Sequence, residues 1–414
     1  MNRKIFLPVQ LLGWVLLASV LQACNAVTPA PSITPAPLAF TSTATFEPTA
    51  TGSPLPAPSA TRLPPVLPML AKPELVHIVF QDNNDGWGIA TNAGGSIVRT
   101  VDGGSTWLNA NPPGIAGVGS SAVLSVLDTE TVWALVPSTD FFAGTLYRTT
   151  DGGLSWSSNP VPFGGAFIQF QNGSSGKALA VHGATAGTET VELFQTSDGG
   201  TTWVSMYHND PSQPGASDNL PMAGIKNGMT FVDANTGWVT GSSATAGEIY
   251  LYITQNGGTS WSQQKLPLSN GYANEQLMAQ APVFFGKDGT LPVWVYLPNK
   301  VVLTFFLSRD GGLTWMGTAA ESSQSKQTGI TAIADAQHLW SWDGGADLYI
   351  SADGANTWQT VRPDQDLSGR LSQMQFVPDP AGRYSGWALT RTDEAGHSQL
   401  YRTGDGGVWT LLTK

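Results

Sequence analysis

One eight-residue pattern, Ser/Thr-x-Asp-Gly-Gly-x-Ser/Thr-Trp, returns seven times between residues 100 and 409, and no other feature narrows the fold as much. The copies run from Thr100 to Trp107, Thr149 to Trp156, Thr196 to Trp203, Thr254 to Trp261, Ser308 to Trp315, Ser351 to Trp358 and Thr403 to Trp409. A recurring unit of this kind builds repeat architecture, because each copy can bury its apolar face only against its neighbours. Successive copies start 43 residues apart at the closest (Ser308 and Ser351) and 58 at the widest (Thr196 and Thr254). That suits a four-stranded propeller blade, whose period is about 40 to 50 residues.

Strand-like runs precede each box. Ser96-Ile97-Val98-Arg99 and Gln399-Leu400-Tyr401-Arg402 lead directly into it, Gly86-Trp87 and Gly237-Trp238 mark a run further upstream, and Val76-His77-Ile78-Val79-Phe80 is an apolar run before that. Each unit therefore supplies four strands of its own, with the box turning between the third and fourth, so closing a ring needs no strand shared between the termini. Within the box an aspartate can accept turn N–H groups, and glycines take positive φ at little cost. The tryptophan then packs into the blade, where truncating a fully buried one costs about 3–5 kcal/mol. The structural pairs are Asp102 and Trp107, Asp151 and Trp156, Asp198 and Trp203, Asn256 and Trp261, Asp310 and Trp315, Asp353 and Trp358, and Asp405 and Trp409. Asn256 and Ala355 depart from the consensus, and the last copy is one residue short before Trp409. One carboxylate followed by glycines lacks the alternating oxygen ligands and late Glu of a calcium loop, so the box is read as a folding device.

The region from 73 to 414 is rich in Gly and Trp and offers no amphipathic helix of convincing length, while only 12% of the whole chain is charged. The expectation is an all-β fold, a seven-bladed β-propeller of four-stranded antiparallel blades over 73–414. A net charge of −11, with Lys and Arg scattered, argues against nucleic acid and anionic lipid as partners.

The amino terminus reads differently. Arg3 and Lys4 precede an apolar stretch from Ile5 to Leu21 that closes on Gln22-Ala23-Cys24, the layout of a secretory signal over 1–23. Ala23 before Cys24, the single cysteine, resembles a bacterial lipobox, which implies a diacylglycerol on Cys24 and a protein held on the outer side of the cell membrane. No cysteine is then left for a disulfide or a thiolate metal site. Residues 24–72, rich in Pro, Thr, Ala and Ser, bury too little apolar surface to fold and read as a tether.

The repeat resembles the Asp-box, or BNR, superfamily of propellers over roughly residues 73 to 413. The pairing of Gly-Trp with Thr-x-Asp-Gly-Gly-x-Ser/Thr-Trp is most similar to the photosystem II assembly and stability factor family. That resemblance implies a seven-bladed propeller, exported or carried into a lumen, that binds other proteins during assembly. Photosynthetic members are expected to carry an arginine-rich patch, whereas arginines here are spread one or two per blade, so the photosystem role does not carry over. Asp-box propellers also include sialidases and xyloglucanase-like enzymes, which makes a glycoside hydrolase acting on extracellular glycans the rival reading. No Arg-Ile-Pro motif of a sialidase occurs. Other glycosidases need only two carboxyl groups about 5 to 9.5 Å apart.

No catalytic residue, metal site or cofactor is assigned. The five histidines, His77, His182, His208, His338 and His397, stand apart without a carboxylate at ligand spacing, and no nucleophile elbow or phosphate loop is present. Function is expected on loops. In an antiparallel meander the box lies on the same face as the first turn, so second turns and the links between blades share the other face. Long links run there from Tyr207 to Ala223 and from Pro267 to Gln280. The candidate contact set is Asp140, Phe141, Phe142, Tyr207, His208, Asp210, Tyr272, Asn274, Glu275, Asp393 and His397. Phe141 and Phe142 either stand exposed as anchors or tuck against the next blade. The partner is a protein or a surface glycan.

Overall fold

A computed structural model describes residues 66–185, 187–268, 270–318, 323–325 and 329–412. The signal, Cys24 and the tether up to residue 65 lie outside the described residues. Leu63–Lys414 form one compact unit.

Every regular element among the described residues is a strand, apart from single 3-10 turns at Asn92–Gly94 and Asn270–Tyr272. The strands form six sheets, and every pairing is antiparallel. The first holds Leu75–Phe80, Gly86–Ala90, Ser96–Thr100 and Trp107–Asn109 in sequence order. The segment assigned to the tether contributes here: Met69–Leu70 pair with Trp107 and Leu108 and add a fifth strand at the outer edge. The second sheet (Val123–Val126 to Ser157–Val161), third (Ala166–Phe170 to Val204–His208), fifth (Ile330–Ile333 to Gln359–Val361) and sixth (Leu371–Pro378 to Thr410–Leu411) are four-stranded meanders. The fourth sheet has ten strands and carries two boxes, joined through the pair Ser242 and Met278.

The strands are apolar on both faces because sheets pack on both sides. Gly86–Ala90 is buried at every residue, as is Leu339–Trp342. The junctions follow a repeated scheme. A donor on the second or third strand of one sheet reaches the carbonyl of the first box glycine of the next: Arg99 Nη1 to Gly152 at 3.1 Å, Trp133 Nε1 to Gly199 at 2.8 Å, Lys177 Nζ to Gly257 at 2.6 Å and Trp387 Nε1 to Gly103 at 2.9 Å. That glycine is obligatory twice over. At Gly152 φ is 70°, and a Cβ would sit 1.7 Å from the Arg99 guanidinium.

Aromatic pairs fill the same junctions. Trp133 stacks on Phe170 at 3.8 Å, Trp340 on Phe376 at 3.9 Å, and Phe305 on Trp358 at 5.4 Å. The last sheet packs on the first: Trp387 stacks on Phe80 at 3.8 Å, and Gln373 and Gln375 each exchange two hydrogen bonds with the backbone of Ile78 and Phe80. The sheets thus close on themselves without a shared strand, in a propeller-like arrangement.

Candidate binding face

The boxes define one face. Asp102 Oδ1 accepts Thr100 Oγ1 and the Thr106 N–H, its Oδ2 accepts Thr106 Oγ1, and Gly104 N donates to Thr100 Oγ1. The same bonds recur at Asp151, Asp198, Asp310 and Asp353. The flanking hydroxyls are thus as much part of the device as the aspartate. At Asn256 the amide nitrogen donates to Ser260 Oγ instead. Burial of the box tryptophans is uneven: Trp107, Trp261, Trp315 and Trp409 are buried, whereas Trp156, Trp203 and Trp358 are half-buried between sheets.

First turns share this face and carry a second device that sequence reasoning missed. Asp82, Asp128, Asn172, Asp233 and Asp335 each accept two backbone N–H groups of their own turn. The signal was present as an Asp or Asn four residues before Gly86, Val132, Gly176, Gly237 and Leu339. Asp335 also receives the Tyr384 hydroxyl from the next sheet and lies 3.0 Å from His338 Nδ1.

The opposite face carries the loops, and there the candidate contact residues divide. Asp140 turns the loop after Pro137 by accepting Ser138 Oγ and the Phe142 N–H, and those hydrogen bonds hold its carboxyl below the ordinary range. Phe141 sits at φ 62°, the left-handed region, while Gly164 and Gly165 donate to its carbonyl. It is 47% exposed, and Phe142 is 60% exposed.

Tyr207 is not available at the face. It is 5% exposed, accepts the Leu220 N–H and donates to the Ser217 carbonyl, so it is the peg on which the 209–223 link is hung. Tyr272 packs half-buried on the core of the fourth sheet, Asn274 is exposed beside it, and Glu275 gives its carbonyl to the Gly247 N–H. Asp393 caps its own turn by accepting Ala395 N and His397 N. His397 Nδ1 lies 2.8 Å from Glu74 Oε1, latching last sheet to first, and that carboxylate raises the imidazole.

Three of the candidates converge. Phe142, His208 and Asp210 line a cleft of about 530 Å³ together with His182, Glu192 and Ser205. Register explains the meeting. Glu192 pairs with His208 across adjacent strands, and His182 falls in a bulge between Val181 and Gly183 that re-aims its ring. His182 Nε2 lies 3.3 Å from Glu192 Oε2, close enough for an ion pair although not aligned as a hydrogen bond. His208 Nδ1 is buried without a partner. Asp210 Oδ1 accepts Ser212 N and Oγ, and these bonds, with smaller contributions from His208 and His182, hold its carboxyl charged. The expectation that no histidine has a carboxylate partner therefore fails at His182 and His397, which strand pairing and sheet packing bring to Glu192 and Glu74, and at His338, which meets Asp335 three residues earlier in the same turn. Among the described residues no group of three or more His, Cys, Asp or Glu could hold a metal.

No family model matches the chain. A xyloglucanase from Paenibacillus sp is 25% identical over 282 residues, 59% of this chain, and the chain spans only 25% of that protein's length. Among solved structures, a PL25 ulvan lyase aligns with a TM-score of 0.50 at 10% identity, covering 84% of this chain and 97% of the lyase. YCF48 bound to D1 peptide aligns at 0.49 and 18% identity, over 79% of this chain and 95% of that one. At 10% identity the likeness to the lyase speaks for the fold alone, and together with the closed succession of antiparallel sheets it makes the described region an all-β, propeller-like structure.

Proposed function

We propose that the chain is an exported surface lipoprotein whose propeller binds protein partners through the loop face opposite the Asp boxes. In this reading the ten-stranded sheet is two blades, which brings the total to seven. One residue pair joins its halves, each half has its own box, and the first strand of the second half is broken into Gln276–Ala279 and Val283–Phe285, both pairing with Asp288–Tyr296. Anchoring at Cys24 and a tether that ends before the strand Met69–Leu70 complete the proposal, and loss of acyl-chain labelling in Cys24→Ser tests the anchor.

The observation that carries the binding reading is the cleft of about 530 Å³ with Phe142 exposed at its edge, on a rigid closed scaffold. Capture of surface proteins by the full chain tests it: Phe142→Ala combined with His208→Ala should lose partners that the parent retains. Unchanged capture would remove the face from consideration.

The xyloglucanase relative favours a second reading, hydrolysis of a surface glycan. A glycosidase needs one carboxyl raised to act as acid, and of the two carboxyls that line the cleft Asp210 is held below the ordinary range by its bonds from Ser212. Release of reducing ends from xyloglucan by the full chain, abolished by Glu192→Gln, would overturn the binding reading.

A further inference from the structure

We infer that the cleft between the second and third sheets receives a cationic side chain, an arginine or lysine, from the partner polypeptide. This rests on the protein-binding reading of the loop face and specifies what that face recognises. Glu192 and Asp210 line the cleft with the imidazoles of His182 and His208, and no Lys or Arg does, so its permanent charges are the two carboxylates. Asp210 is kept ionised by Ser212, so the negative charge is built in rather than induced. A guanidinium carries five N–H donors and no acceptor, which matches the two carboxylates of the cleft. Phe142 adds an exposed aromatic ring at the rim, the surface on which a cation is attracted.

The geometry of the loop supports a preformed site. Tyr207 and Asn209 tie the link that carries Asp210 to the Leu220 carbonyl and N–H, and Lys226 donates to the carbonyls of Glu189, Met222 and Gly224 at its far end. The carboxylate is thereby held in place before any ligand arrives, which lowers the ordering cost of binding. A net charge of −11 on the whole chain draws cationic segments toward it.

The test uses the full chain and two acetylated, amidated peptides, Gly-Gly-Arg-Gly-Gly and its citrulline counterpart, which has the same shape without the charge. Titration at low salt should show the arginine peptide binding about ten-fold more tightly, with the preference shrinking as salt is added. Glu192→Gln with Asp210→Asn should erase the preference while leaving the thermal midpoint in place, and Phe142→Ala should reduce it several-fold. Equal binding of the two peptides, survival of the preference in the double variant, or occupation of the cleft by a neutral xyloglucan oligosaccharide instead would overturn the inference. If capture of surface proteins still depends on Phe142 and His208 when the arginine peptide shows no preference, only the cationic assignment falls and the binding face stands.

Discussion

Lys177 stands where the five other sheets hold a tryptophan, Trp87, Trp133, Trp238, Trp340 and Trp387. Trp87, Trp133 and Trp387 face Arg99, Arg148 and Arg402 across the second and third strands, and each guanidinium lies over the indole it faces. These three arginines are therefore junction parts. In the third sheet the cation moves to the second strand: Lys177 faces Gln195 and lies 4.9 Å from the Phe231 ring of the next sheet. It is 2% exposed, and burial pushes the ammonium down to about 8 from 10.5. Between those values the unfolded chain holds a proton that the folded chain has released, so stability rises with pH across that window and is flat below it. Urea midpoints of the parent should climb from pH 8 to pH 10 relative to Lys177→Met; parallel curves would show that the amine keeps its proton. Lys226, also lowered to about 8 by burial, is common to both proteins and cancels. At the boxes, Asp102→Ala strips the acceptor from the Thr100 hydroxyl and from the Thr106 N–H and hydroxyl, and should cost about 2 kcal/mol in equilibrium unfolding. Asp102→Asn, the arrangement at Asn256, should cost less than half as much.

At the scale of elements, the two tryptophan positions of a unit do different work. Trp387, fully buried and stacked on Phe80, should cost about 3–5 kcal/mol on truncation to Ala. Trp156, half-buried and tied to the neighbouring sheet by its bond to the Ala110 carbonyl, should cost less than half of that in the same measurement. The 209–223 link behaves as a separate part. Its bonds converge on the Tyr207 hydroxyl, so Tyr207→Phe should speed amide exchange at Leu220 about ten-fold, with global stability moving by less than about 1.5 kcal/mol. Exchange at Leu220 as slow as in the parent would mean that Asn209 alone holds the link.

For the whole molecule the decisive junction is the one between the last and first sheets, since it joins residues 295 apart in the chain. The side-chain amides of Gln373 and Gln375 act there as a strand would, meeting both the N–H and the carbonyl of Ile78 and of Phe80. Replacing both by Ala leaves four backbone groups without these partners and should lower stability by about 2–4 kcal/mol. Amide exchange at Ile78 and Phe80 should rise before exchange elsewhere does. Uniform protection across the sheets would show that Trp387 and Phe80 suffice to close the ring.

The sequence by itself determined the element type and the repeated unit. The box, the Gly-Trp runs and the alternation of short apolar stretches are local signals whose physics, turn hydrogen bonding and positive φ at glycine, acts within a few residues of Thr100 or Thr149. It also separated the box face from the loop face, because an antiparallel meander leaves no other arrangement. Only the tertiary structure decided which loop residues meet. Tyr207 and Phe142 look alike as aromatic loop residues, yet one is spent on Ser217 and Leu220 and the other stands in solvent. His182 and Glu192 came together with Asp210 through a bulge and a register, neither of which spacing along the chain records. Contacts within a turn are set by neighbouring residues, whereas contacts across sheets are set by how the whole ring packs, and the cleft belongs to the second kind.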